Sequence, residues 1–240
     1  MPLPHAPLRL AALLLAAALA APGAGAQIAP LCHSDGVTPP RALLERFIDA
    51  DCAGCWGAAD SPAAARGTLA LDWVLPGAQG DEAPLSAVAR RDSQQRRAAL
   101  PVPPDARGAL HSANRRQGTL RVAQGPALGG YVGASLAFPA ARGTAGPLTG
   151  WLALIERLPA GTEGSPVPRQ LVRNLLSEPI APQPPAGPIA AQLWRPMNIP
   201  EGARAERLRV AGWVTDARGR VLAAAESHCQ AAPAPPARGR

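Results

Sequence analysis

The feature that most narrows the fold is how soon each apolar stretch stops. From about residue 118 such runs last only five to nine residues before a turn signal: TLRVA (119–123), YVGASLAF (131–138), GWLALIERL (150–158), RQLVRNLL (169–176), AAQLWRPM (190–197), RLRVAGWV (207–214) and RVLAAA (220–225). Strands at that spacing predict antiparallel sheet rather than a helical bundle, with RQLVRNLL also open to a short helix. The 24 glycines and 29 prolines among 240 residues act in the same direction. In VTDARGRVL, Asp216 and Gly219 mark a tight turn between two alternating runs, a hairpin signal.

The first half reads differently. RALLERFID (41–49) predicts a strand, and TLALDWVL (68–75) a second, with Leu69, Leu71, Trp73 and Leu75 on one face. Between them stands Asp51-Cys52-Ala53-Gly54-Cys55-Trp56, followed by a short helix, with Ser61 capping a second start at Pro62 and Gly67 closing it. PLSAVARRDSQQRRAAL (84–100) predicts a helix capped by Ser86, with a thin apolar stripe and shallow burial. DARGALHSANRRQG (105–118) makes a poor strand.

Residues 1–26 carry the marks of a cleaved export signal: Arg9, an apolar run over 10–21, and Ala24-Gly25-Ala26 as the cleavage site. A periplasmic or secreted location follows, and with it a compartment where cysteines stay oxidised. Residues 27–40 read as an irregular lead-in, and the Pro- and Ala-rich 230–240 as a disordered tail. No later stretch is apolar for long enough to span a membrane as a helix once the signal is gone. The formal net charge is +7, and all 24 basic residues are arginine. The arginine-rich stretch 86–121 reads as a solvated helix and loop. Nucleic acid is not an expected partner of an exported chain with 3% aromatic residues.

Cys52 and Cys55 form the motif with chemical content. A strand, then Cys-x-x-Cys, then a helix start is the arrangement used for thiol–disulfide exchange. The first thiolate is stabilised by backbone N–H groups, and the second sulfur resolves the mixed disulfide. Cys52 is the attacking thiol in this reading and Cys55 the resolver. The carboxylates of Asp49 and Asp51 oppose activation by disfavouring a nearby thiolate.

LLERFIDADCAGCW resembles the secreted, thioredoxin-like bacterial proteins whose hallmark is E-x-F-T-S-x-x-C-x-x-C; Glu45, Phe47, Cys52 and Cys55 carry the match. LALDWVL, SAVARRDSQQRRA, WLALIERLPAG and LRVAGWVTDARGRVLAAAE extend it softly over 41–100 and 150–226. Ile48-Asp49 and Trp56-Gly57 depart from the family pattern. The resemblance implies a cis-proline beside the dithiol, for which the candidates are Pro101, Pro103 and Pro104, and partners that are protein thiols or disulfides. No cofactor and no metal is expected.

Cys32 and Cys229 bracket the folded region, each beside a histidine, His33 and His228. A structural disulfide is one reading. A Cys2His2 metal site is another, disfavoured because adjacent residues of an extended chain point to opposite sides. Two free thiols are the third. His111 has no evident partner. Trp73, Trp151, Trp194 and Trp213 read as core residues, and Trp56 as one that shields the dithiol or contacts a partner.

The expectation is therefore an α+β protein: a reduced thioredoxin-like lobe over 41–125, then an antiparallel β-sandwich-like half over 126–229. Its function is thiol–disulfide exchange through Cys52 and Cys55. The alternative is a non-catalytic envelope interaction or structural protein in which that pair is a staple.

Overall fold

The computed structural model describes residues 32–59, 64–103, 105–113, 119–139, 146–180 and 192–229. The expected signal and tail, the Ser61–Pro62 helix start and Pro104 lie outside the described residues. In chain order the elements are β1 (Cys32–His33), β2 (Ala42–Asp49), α1 (Ala53–Trp56), β3 (Thr68–Leu75), α2 (Arg91–Ala98), β4 (Gly108–Ser112), β5 (Arg121–Leu128) and β6 (Tyr131–Ala137). They continue with β7 (Leu148–Leu158), β8 (Arg169–Ile180), β9 (Gln192–Asn198), β10 (Leu208–Asp216), β11 (Val221–Glu226) and β12 (His228–Cys229).

Two sheets hold all of these strands. One has five strands in the order β12-β1-β5-β6-β9, and the other seven in the order β11-β10-β7-β8-β3-β2-β4. This overturns the expected fold class. The structure is predominantly β-sheet, not a helix-bearing thioredoxin-like lobe joined to a separate sandwich. β3 takes β8 as its parallel neighbour, with Asp72 opposite Leu171, so strands from both expected halves share one sheet. The sandwich likewise forms between sheets drawn from both halves.

The expected 84–100 helix is broken into two pieces, for a local reason. A 3₁₀ turn covers Ser86–Val88 and α2 covers Arg91–Ala98. Between them Arg90 is extended, with φ −136° and ψ 137°, and its N–H donates to the Val74 carbonyl at the end of β3. That bond ties the chain to the end of β3, an interior strand, and interrupts the helix. Ser86 caps nothing; its hydroxyl donates to the Asp81 carbonyl. Two further expectations change, for GALHS and the lead-in, while the strand reading of RQLVRNLL holds over its helical alternative. GALHS is a strand, antiparallel to β2. RQLVRNLL is strand throughout. The lead-in contains β1.

The β-rich readings hold where periodicity carried them. β10 and β11 form the expected hairpin, with Gly219 at φ +75°, a left-handed value that favours glycine. The core of the sandwich lies between the five-stranded sheet and the β7–β10–β11 part of the other, and includes Val122, Val132, Leu136, Leu152, Val210 and Phe138. The sheets approach so closely that a Cβ on Gly212 would sit 2.6 Å from Val122 Cγ1. A second apolar cluster occupies the opposite face of the seven-stranded sheet, around Leu43, Phe47, Leu71, Trp73, Ile155 and Trp213. Trp194 departs from the core reading: it is 63% exposed on the outer face of the five-stranded sheet.

Candidate functional site

β2 is buried along almost its whole length because both of its faces are covered, and β3 likewise. The two run parallel in register, Phe47 opposite Trp73 and Arg46 opposite Asp72. At the end of β2 the chain turns through Asp49–Cys52 into α1. Ala50 N–H donates to the Leu75 carbonyl, and Leu85 N–H to the Ala50 carbonyl, so the turn is tied to the end of β3 and to the 84–88 segment.

Cys52 and Cys55 are joined in a disulfide. Cys52 stands at the N-cap of α1, and its Sγ accepts the Cys55 N–H at 3.1 Å. Both residues are half-buried, while Ala53 and Gly54 between them are exposed. Cys55 packs against a small apolar cluster of Ile48, Ala50, Trp56, Val74, Leu158 and Leu171. The acidic neighbours are occupied by the backbone. Asp51 Oδ2 accepts the Ala78 N–H at 2.7 Å, and Asp49 Oδ1 accepts the Asp51 N–H at 2.9 Å. The Asp51 carboxylate lies so close to Gly77 that no Cβ fits there.

Trp56 is buried and clasped at two points. Its ring N–H donates to the Glu163 carbonyl at 2.6 Å, and its own carbonyl accepts Arg169 Nη2 at 2.7 Å. The Arg169 guanidinium also lies 5.2 Å from the centre of the Trp56 ring. Glu163, at φ 50°, is the one non-glycine residue with positive φ among the described residues, in the loop between β7 and β8. Arg169 is itself fixed by Ser165 Oγ at 3.0 Å and by Asp72 Oδ1 at 3.2 Å. Asp72 further accepts from Arg46 at 2.6 Å and from the Gln170 N–H at 2.7 Å. Burying a carboxylate is tolerable only with such full pairing.

On the opposite face of the sheet a second buried acid, Glu45, takes a bidentate pair of bonds from Arg96 at 2.9 and 2.7 Å. His111 Nε2 lies 3.0 Å from the same carboxylate, so His111 is not the isolated loop residue expected. Burial acts to raise the Glu45 pKa, but hydrogen bonds and charge from Arg96, aided by His111, hold it below the ordinary value. Arg96 is capped by the stacked pair Trp151 and Trp213, at 4.6 and 5.5 Å from the ring centres. The reading of 86–121 as a wholly solvated basic stretch therefore fails at Arg96. Trp151 and Trp213 hold the inward positions expected of them.

The proline expectation is corrected. No peptide bond among the described residues is cis, so Pro101 and Pro103 are trans. Leu100 and Val102 beside them pack into the Phe47–Trp73 cluster, whereas Cys55 packs into the Ile48–Val74 cluster. Alternate residues of β2 and β3 point to opposite faces, so this loop and the dithiol lie on opposite sides of the sheet.

Sequence reasoning missed the Arg46–Asp72–Arg169 and Glu45–Arg96–His111 groups. A signal was present for the first: opposite charges at the same depth of two apolar strands, Arg46 and Asp72, meet if the strands pair parallel and in register. The outer cysteines form a disulfide, Cys32–Cys229, and are direct partners across β1 and β12. His33 and His228 are the next pair in that register. Among the described residues no group of three or more His, Cys, Asp or Glu side chains could hold a metal ion. No helix among them is long and apolar enough to cross a membrane. Two disulfides fit an oxidising compartment outside the cytosol.

The fold defines a β-rich, disulfide-bearing protein, and the comparisons go no further than that architecture. No family model matches the chain, and no curated protein matches it. Among solved structures it is similar to HBP35 of Porphyromonas gingivalis, with a TM-score of 0.51 and 10% sequence identity, over 83% of this chain and 82% of that one. At that identity the likeness concerns the fold alone.

Proposed function

We propose that this is an exported protein, periplasmic or secreted, that exchanges disulfides with protein thiols through Cys52 and Cys55. The observation that carries the reading is the setting of Cys52: half-buried rather than sealed, with its sulfur accepting the Cys55 N–H. A hydrogen bond donated to sulfur favours the thiolate over the thiol once the bond is reduced. Asp51, the nearest opposing charge in sequence, is engaged by the backbone of Ala78 and Gln79. The resemblance of Glu45, Phe47, Cys52 and Cys55 to a secreted bacterial family supports the same reading.

In the exchange a partner thiolate attacks Cys52 Sγ. The Cys52–Cys55 bond breaks, and Cys55 leaves as a thiolate with the electron pair. A second partner thiolate then attacks the partner sulfur of the mixed disulfide, and Cys52 leaves as a thiolate. The partner ends with a disulfide, and the Cys52–Cys55 pair ends reduced. The reverse sequence starts from the dithiol.

A second reading has the pair as a staple in a non-catalytic envelope protein. It is favoured by the clasp on Trp56, which fixes the end of α1 from two directions. Redox titration separates the two. Structural disulfides have potentials below about −300 mV, whereas exchange proteins lie between about −120 and −270 mV. A value in the upper range, with mixed disulfides trapped by Cys55→Ala in envelope extracts, supports exchange. A value below it with no trapped species supports the staple.

A further inference from the structure

On the outer face of the five-stranded sheet, β5, β6 and β9 floor a trough of about 610 Å³. The floor is made of small residues, Ala123, Gly125, Gly133 and Ser135. Ala123 stands opposite Ser135, and Ser135 opposite Trp194, so the three cross the trough in one row. Trp194 bounds it on the side of β9, and Leu128 and Tyr131, partners at the end of the β5–β6 hairpin, close one end. These are three of the five large apolar side chains exposed among the described residues, at 63%, 64% and 50%. Scattered singly such residues need no explanation; gathered around one hollow they mark a binding site.

Two features narrow the ligand. The Trp194 atoms nearest to the place of a Cβ on Gly133 are Nε1 at 3.8 Å and Cζ2 at 4.0 Å. The N–H edge of the indole is thus turned to the floor, and the ring is offered by its face. A ring face binds C–H groups, whose hydrogens meet the negative side of the π-system. The second feature is charge. Arg121 is the single charged side chain of the lining, on a chain of formal net charge +7. Its Nε donates to both oxygens of Asp35, at 2.8 and 2.9 Å, and each side chain is nearly half exposed. The trough therefore carries no net charge, which suits a neutral ligand rather than an anionic one. Among the described residues the two Nη groups of Arg121 have no hydrogen-bond partner, so guanidinium donors and carboxylate acceptors stand side by side in water. A hydroxyl both donates and accepts, and neighbouring hydroxyls fit that pair through bonds strengthened by charge. Ser135 and Tyr131 add hydroxyls of their own.

We infer that the trough binds a neutral oligosaccharide of pyranose rings with equatorial hydroxyls, as in β-1,4-linked glucose or N-acetylglucosamine. Such a ring has C–H groups on its faces and hydroxyls around its rim. One ring lies with a face on Trp194, above Gly133 and Ser135, where nothing larger than a hydroxymethyl group rises from the floor. A neighbouring ring turns its hydroxyls to Arg121 and Asp35. The volume falls within the range of about 300–1,000 Å³ usual for small-molecule sites. The site uses neither Cys52 nor Cys55, so it stands or falls apart from disulfide exchange.

The test is isothermal titration of the full chain with cellohexaose and chitohexaose. Hexagalacturonate serves as an anionic counterpart, and decaproline as a peptide of the kind that also docks in aromatic grooves. At least one of the two neutral saccharides is expected to bind, with an affinity that added salt leaves unchanged. Trp194→Ala is expected to weaken that binding about tenfold, the loss of one good stacking contact, and Trp194→Phe to restore part of it. Ser135→Leu, which fills the floor, is expected to abolish it. Because Trp194 is exposed, its replacement should leave the urea midpoint where it was, which separates lost binding from lost folding. No binding of either neutral saccharide would overturn the inference, and so would binding that Trp194→Ala leaves undiminished. Binding of hexagalacturonate or decaproline in their place would overturn it by giving the trough to an acidic polymer or a proline-rich segment. Self-association in sedimentation velocity that Trp194→Ala abolishes would overturn it by giving the face to a second copy of the chain.

Discussion

Arg169 donates a hydrogen bond to the main-chain carbonyl of Trp56 at 2.7 Å, across 113 residues of sequence. The two residues belong to the stretches that sequence reading assigned to separate lobes. The bond makes the cysteine-bearing turn part of the central sheet: Trp56 is held by Arg169, Arg169 by Asp72, and Asp72 by Arg46 on the neighbouring strand. The rigidity of the dithiol is thus set by a charge network that no local pattern announces.

Asp72 is the shared anion of that network, and its side chain is wholly buried, as is that of Arg169. Asp72→Asn keeps the shape and removes the charge, leaving buried guanidinium without its counter-ion. The expected loss is about 3–5 kcal/mol of stability, the range for breaking a buried pair from one side. Urea unfolding of the two proteins measures it. A loss below about 1 kcal/mol would mean that the guanidinium groups find water on relaxation, and that the network does not hold the site.

Trp56→Phe isolates the clasp on the β7–β8 loop. Phenylalanine fills most of the volume but cannot donate to the Glu163 carbonyl. The expected cost is about 1 kcal/mol, that of one hydrogen bond. The loop should also open more often. Amide exchange at Thr162 and Ser165, which bridge across it, is expected to speed up while exchange in β10 stays unchanged. Unchanged exchange in the loop would show that the Thr162–Ser165 bridge, not Trp56, keeps it in place.

The β-strands were legible because period-two alternation and turn residues are local signals, and the β10–β11 hairpin and the span of β3 emerge from them with little change. The fold class was not legible, because it depends on which edges meet. Nothing within TLALDWVL says that β8, almost a hundred residues later, will lie beside it. Glu45 shows a second limit. In ALLERFID a charged residue reads as outward-facing, yet both faces of β2 are covered, and Glu45 is inside because Arg96 follows it in. Trp194 shows the converse, a large aromatic residue left on the open face of the smaller sheet.

Stability should fall in two stages on acidification. Burial, the largest influence, lowers the His228 pKa below its ordinary 6.5; the charge of Glu226 opposes this and that of Arg157 and Arg209 adds to it. The unfolded chain therefore binds that proton first, and stability declines as pH drops below about 6.5 until the folded-state pKa is passed. The Glu45 pKa is lowered too, so its contribution is intact above the unfolded value, near 4.5, and is lost as pH falls through the folded one. His228→Gln should flatten the first stage and Glu45→Gln the second, in urea midpoints measured against pH. An unaltered slope between pH 6.5 and 4.5 in His228→Gln would remove His228 from the account.

The two disulfides should differ in what they contribute, and the difference bears on which one is free to react. Cys32–Cys229 closes a separation of 197 residues, which the chain-entropy model values at about 5 kcal/mol before strain. It also joins β1 and β12, strands of two residues each, too short to pair firmly without it. Cys52–Cys55 closes a separation of 3, for which the same model gives about 2 kcal/mol. Replacing Cys32 and Cys229 together by serine should therefore lower the urea midpoint under non-reducing conditions more than replacing Cys52 and Cys55 together. A protein that cycles one bond while keeping its fold needs that ranking. If removing the inner pair proved the more damaging, Cys52–Cys55 would be part of the framework, and a role in exchange would require the fold to loosen at every turnover.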